Sequence, residues 1–147
     1  MDKHLIAMVG ASGSGKSTFA VSLAHASGIG IVCPDTIRGE LTGDEGSQDA
    51  NAQVFVLVRE RLVAALNAYG SVIYDATNYN EKNRKIVYEV AEQTGAKIIW
   101  YIFRVPFQTL LERQKLRKRQ VPFAVIQRQF NLLTIPTKGC IIYADGH

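Results

Sequence analysis

Three groups of residues in this chain have the types and spacing that phosphoryl chemistry needs. The first is Gly10-Ala11-Ser12-Gly13-Ser14-Gly15-Lys16-Ser17, a full Gly-x-x-x-x-Gly-Lys-Ser run. Glycines at 10, 13 and 15 let backbone N–H groups turn inward around phosphate oxygens, and the start of a following helix adds partial positive charge at the same point. Lys16 then reaches the β- and γ-phosphates of a nucleoside triphosphate, and the Ser17 hydroxyl binds the magnesium that neutralises them. Ser12, Ser14 and Thr18 belong to the same cradle. The loop specifies a phosphate donor and leaves the acceptor open.

The second group is Asp35 and Arg38, just past a short β-branched run closed by Pro34. In open α/β sheets ligands bind beyond the carboxyl ends of the strands, so Asp35 is placed to meet an acceptor opposite the loop. Three residues apart at the start of a helix, Asp35 and Arg38 share a face. A helix cap is the competing reading of Asp35. The third group is Asp75, at the end of the apolar run Ser71–Tyr74. A carboxylate there needs a partner, and the Ser17 hydroxyl or a magnesium-bound water supplies one. Thr77 and Asn78 read first as caps of the next helix. Further along, Arg113 and Arg117 stand four apart on one helix face, with Lys118 and Arg119 beside them.

These groups require elements to hold them. His4–Val9 is apolar throughout, as a central parallel strand is. A helix over Lys16–Ala26 follows, then a strand over Ile29–Cys33. A polar loop over Leu41–Ala52, with at most a helix start near its end, leads to a long helix, Gln53–Ala68, with Val54, Leu57, Val58, Leu62, Ala65 and Leu66 at helical spacing. The third strand is Ser71–Tyr74, and a helix over Asn83–Thr94 leads to a fourth, Lys97–Phe103. Phe107–Arg119 and Phe123–Leu133 read as helices broken at Val121-Pro122, a lid-like arrangement, before a last strand, Ile141–Ala144. The strand–helix alternation makes the class α/β.

At 147 residues the length suits one domain, and 47% hydrophobic with 20% charged residues is globular composition. No leader or membrane span is evident, which points to the cytoplasm. Cys33 and Cys140 sit in or beside apolar runs and read as buried thiols. Between Arg113 and Lys138 there are seven basic residues and no acidic one, which leaves ten basic against thirteen acidic elsewhere. A basic region on a slightly acidic body suggests a phosphate-rich partner.

In their order and spacing, the loop at 10–17, Pro34-Asp35-Thr36-Ile37-Arg38-Gly39, Tyr74-Asp75-Ala76-Thr77-Asn78 and Glu112–Arg117 leading to Val121-Pro122 resemble the 5′-hydroxyl kinase domain of polynucleotide kinases. The resemblance runs over roughly residues 4 to 133. It implies a P-loop kinase-type three-layer sandwich, with a five-stranded parallel sheet ordered 2-3-1-4-5 and a helical lid at about 113–122 between the fourth and fifth strands. It implies ATP, with other nucleoside triphosphates in some members, and Mg2+. Lys16 and Ser17 would serve the donor phosphates and metal, Asp35 would be the general base, and Arg38 would hold the acceptor's 3′-phosphate side. Asp75 would support the metal shell, and Arg113 and Arg117 would reach the donor from the lid. The acceptor would be a 5′-OH end of RNA or DNA, with a repair phosphatase or ligase as a separate subunit. Two other readings share the loop. One is a kinase for a small metabolite, sugar, antibiotic or nucleoside; the other is a regulatory module in which nucleotide binding alone acts.

Overall fold

The computed structural model describes residues 2–45, 47, 50–117 and 121–143. Lys118, Arg119, Ala144 and His147 lie outside these, as do parts of the polar loop. The elements in order are β1 (His4–Val9), α1 (Lys16–Ser27), β2 (Ile31–Val32), α2 (Pro34–Thr42), α3 (Asn51–Tyr69), β3 (Ser71–Tyr74), α4 (Glu81–Thr94), β4 (Lys97–Ile102), α5 (Phe107–Lys115), α6 (Phe123–Leu132) and β5 (Cys140–Tyr143). The five strands form one parallel sheet in the order β2-β3-β1-β4-β5. Strand β1 is central, its Ala7 paired with Tyr74 on one side and Trp100 on the other.

Alternation along β1 sorts the core into two layers. Leu5, Ala7 and Val9 face Val54, Val58, Leu62 and Leu66 of α3 and Val87 and Val90 of α4. Ile6 and Met8 face the other way, toward Ala20 and Phe19 of α1. Strand side chains point to alternate faces, so a strand apolar at every position is buried on both. A third, smaller cluster joins Ala11 of the glycine-rich loop to Leu110 of α5 and Ile126 of α6. The three-layer P-loop kinase fold is thus present.

Several boundaries differ from the sequence expectation, each for a physical reason. Strand β2 is two residues long, and Cys33 already caps α2, with Pro34 at the first helical position where its missing N–H costs nothing. Helix α2 continues to Thr42 and ends on Gly43 in the left-handed region, so the stretch expected as loop from Leu41 starts inside a helix. Asp35 lies in the first turn and is not the cap. The cap of α4 is Asn80, whose side chain accepts from Asn83 N at 2.9 Å, and neither Thr77 nor Asn78. Helix α5 stops at Lys115 rather than at Arg119. The Gln114 amide donates to Val121 O at 2.8 Å and draws the chain back toward Pro122. Cys140 is exposed on β5 and Cys33 half-buried, both free, so the buried-thiol reading fails for Cys140.

Arg84 on α4 has no exposed surface, and composition gave no warning of it. Its guanidinium donates to Asn78 O at 2.8 Å, Glu81 Oε2 at 3.0 Å, Thr134 Oγ1 at 3.0 Å and the Thr134 carbonyl. It fastens the segment after β3 to the segment after α6. Arg84→Ala would leave these acceptors without donors. The expected cost is about 2–4 kcal/mol, a fall of roughly 5–15 °C in the unfolding midpoint. Thermal and urea denaturation measure it, and a change below about 0.5 kcal/mol contradicts the fastening role.

Candidate phosphoryl-transfer site

The glycine-rich loop leaves β1 and turns at once into α1. Gly10 is anchored by its N–H to Thr77 O at 3.0 Å, and a Cβ there would sit 2.6 Å from Ser14 Oγ and 3.0 Å from Phe103 Cβ. Only glycine fits without displacing them. Gly15, at φ 102°, occupies the left-handed region and opens α1 without a side chain over its N-terminus. The first-turn N–H groups of Lys16, Ser17 and Thr18 therefore face a helix end suited to an anion.

Lys16 is buried, and its ammonium donates to Ala11 O at 3.0 Å. Burial holds its pKa below the ordinary lysine value; Asp75 and then Asp35 pull it up, and Arg117 pushes it down. Ser17 Oγ donates to Asp75 Oδ2 at 2.7 Å, which supplies the partner that the buried Asp75 carboxylate requires. That bond uses the hydroxyl proton and leaves the oxygen lone pairs for a cation.

The second residue group expected from the sequence lies on α2. Arg38 is buried, and its Nη1 meets Asp35 Oδ1 at 2.6 Å. Its Nε and Nη2 both reach Asn51 Oδ1, at 3.3 and 3.0 Å, from the start of α3. Asp35 is the more open partner, with its side chain 45% exposed. Asn51 sits in a stretch expected as polar loop and was not singled out. A helix start there was legible, but a contact thirteen residues back to Arg38 was not.

The arginines of the basic region divide. Arg113 is exposed and its Nη1 donates to Gly13 O at 3.0 Å. Arg117 lies past the end of α5, with a buried Nη1 that has no hydrogen-bond partner among the described residues. The helix face they were expected to share is interrupted at Leu116, and it is Arg113 that the structure places on the loop. Helix α6 also reaches the loop: Gln129 Oε1 accepts from Ser12 N at 2.9 Å. The helical pair is docked on the loop at three points, counting the Ala11–Leu110–Ile126 cluster.

Nearby, Asn78 adopts φ 45° and donates its amide to Met8 O at 2.8 Å, locking the end of β1. Asparagine tolerates that conformation better than most residues.

This arrangement fits a magnesium–triphosphate. Lys16 is buried beside the glycine-rich loop, and among the described residues the buried Arg117 Nη1 has no hydrogen-bond partner. Among the described residues no three His, Cys, Asp or Glu side chains converge as a metal cage. Nor, among the described residues, is any helix long and apolar enough to cross a membrane.

Comparison with known proteins places the chain. Residues 5–136 match the family AAA_33, described as an AAA domain. A solved Pnkp1/Rnl/Hen1 RNA repair complex is similar at 24% identity and a TM-score of 0.79, over 90% of this chain and 44% of that one. A second Pnkp1/Rnl/Hen1 complex is similar at 27% identity and a TM-score of 0.69, over 83% of this chain and 42% of that one. The APS kinase CysC of Mycobacterium tuberculosis, in complex with AMPPNP and APS, is similar at 18% identity and a TM-score of 0.65, over 99% and 91%. No curated protein matches. The chain spans less than half the length of the repair-complex chains it matches. With its matched span, sheet order and glycine-rich loop taken together, the chain belongs to the AAA_33 family of AAA domains and has a P-loop kinase fold.

Proposed function

We propose that this chain is a single P-loop kinase domain that transfers the γ-phosphate of ATP, with Mg2+, to a 5′-hydroxyl end of RNA or DNA. The observation that carries the reading is the Asp35–Arg38 pair at the head of α2, with Asp35 close enough to Lys16 to raise its pKa. A module that only binds or hydrolyses nucleotide needs no such carboxylate opposite its phosphate loop. The similarity to RNA repair complexes supports a nucleic-acid acceptor and a repair setting. There a separate phosphatase or ligase subunit is the partner we infer, with the cytoplasm as its compartment.

In this reading Asp35 orients the acceptor hydroxyl and takes its proton as the new oxygen–phosphorus bond forms and the bond to the ADP oxygen breaks. A carboxylate is a weak base toward an alcohol, so orientation matters more than basicity. Lys16 and the loop N–H groups hold the donor phosphates, and Arg113 and Arg117 neutralise charge on the transferring oxygens. Ser17, with its hydroxyl held by Asp75, would hold magnesium, which would supply charge neutralisation to the donor phosphates. Arg38 meets the phosphate on the 3′ side of the acceptor nucleotide, in exchange for part of its pairing with Asp35 and Asn51.

The second reading, a small-molecule kinase, is favoured by the similarity to APS kinase over nearly its whole length. Transfer of label from γ-labelled ATP to 5′-OH oligonucleotides, run beside nucleosides, sugars and adenylyl sulfate, separates the two. Transfer to the oligonucleotide alone is the expected result; transfer only to a small acceptor replaces the proposal. Oligonucleotide affinity should also fall with salt, by about 0.7 log units per decade of salt for each phosphate contacted. A salt-insensitive acceptor contradicts phosphate recognition.

A further inference from the structure

Gln129 on α6 makes a contact that the proposed reaction does not use. Its Oε1 accepts from Ser12 N at 2.9 Å. On the other side of the same peptide unit, Ala11 O accepts from Lys16 Nζ at 3.0 Å. One peptide plane therefore carries Gln129 at its N–H and, at its carbonyl, both the lysine ammonium and the Ser14 N–H at 3.1 Å. A peptide is rigid about its C–N bond, so turning the N–H away from Gln129 turns the carbonyl away from Lys16. Donation by the N–H also polarises the carbonyl, strengthening its hold on the ammonium.

The rest of α6 keeps Gln129 in place. Ile126, one turn earlier, is fully buried against Ala11 and Leu110. Just beyond the helix, Thr134 is held by its N–H to Tyr79 O at 2.8 Å and by buried Arg84. The amide group thus reaches the loop from an element fixed at both ends.

We infer that Gln129 is a positioning residue for Lys16, acting through the Ala11–Ser12 peptide to set where the ammonium waits for the donor phosphates. This rests on the donor half of the proposed function and is independent of the acceptor. Gln129→Met keeps the length and volume of the side chain and removes its acceptor. It should weaken binding of ATP and of a non-hydrolysable analogue about three- to tenfold, the effect of one part-buried hydrogen bond. The unfolding midpoint should fall by only about 2–4 °C, the cost of that one bond, and the Ser12 amide should lose protection from hydrogen exchange. Gln129→Glu restores the acceptor and so the Ser12 protection, while its charge still weakens binding of the triphosphate.

The decisive measurement is a double-mutant cycle with Lys16→Ala, read as nucleotide affinity by calorimetry. If Gln129 works through the lysine, Gln129→Met costs little more once the lysine is gone. Equal losses in both backgrounds, or no loss in the Lys16 protein, would overturn the inference. Because no acceptor is present, the cycle can hold while oligonucleotide transfer fails, which would sink only the acceptor reading. Should Gln129→Met fold poorly, Gln129→Ala and the Ser12 exchange rate carry the same comparison.

Discussion

Asp35→Asn is expected to lower phosphoryl transfer by roughly 10²–10⁴-fold, the range for loss of a positioned general base. ATP affinity should change by no more than about threefold. The asparagine keeps the size of the side chain and a carbonyl that still accepts from Arg38 Nη1, now 2.6 Å from Asp35 Oδ1. What disappears is the negative charge and the capacity to take a proton from the acceptor hydroxyl. Steady-state transfer and independent nucleotide titration read the two effects separately. Near-normal turnover would remove Asp35 from the chemistry and leave it as a structural partner of Arg38. A parallel loss of nucleotide affinity would instead mean that the carboxylate supports the donor site, through the Lys16 ammonium it attracts.

Lys16→Ala should behave differently, because the ammonium belongs to the donor side. Transfer is expected to fall at least 10²–10³-fold, as when an electrostatic donor to a developing charge is removed. Nucleotide binding should weaken with it by about tenfold or more. Folding stability is expected to move by only about 1 kcal/mol. Removing the lysine relieves the cost of burying an ammonium, while the Asp75 carboxylate loses an attractive neighbour but keeps its bond from Ser17. A variant that binds ATP as well as the parent would contradict the placement of the ammonium at the phosphates. Calorimetric titration with ATP and chemical denaturation together supply both numbers.

Much of this site was legible in the chain itself. The glycine-rich octapeptide was legible because its residue types stand adjacent in sequence, although Thr77, Arg113 and Gln129 help to hold it from afar. Asp75 was legible by physical necessity: a carboxylate ending an apolar strand must find a partner, and Ser17 is that partner. The long amphipathic helix was readable because Val54, Val58, Leu62 and Leu66 repeat with the helical period and are all fully buried. The sheet order came from resemblance rather than from periodicity, which says nothing about which strands pair.

The misses share a cause. Gln129 reaches Ser12 across 117 positions and Arg84 reaches Thr134 across 50, and no local pattern marks a side chain for so distant a partner. Asn80 rather than Asn78 caps α4 because Asn78 is committed to the carbonyl of Met8, seventy residues away. Helix α5 ends early because Gln114 spends its amide on Val121 O, and an intact helical spacing of Arg113 and Arg117 does not reveal that. In each case a tertiary hydrogen bond outweighed a local preference of about 1 kcal/mol or less.

The direct test of the central claim is a crystal structure of the chain with Mg2+, a non-hydrolysable ATP analogue and a short 5′-OH oligonucleotide. The account predicts the terminal phosphate in the glycine-rich loop and the acceptor 5′-oxygen within about 3 Å of the Asp35 carboxylate, in line for attack. An oligonucleotide bound elsewhere, or an Asp35 still closed on Arg38 and away from the acceptor oxygen, would contradict it.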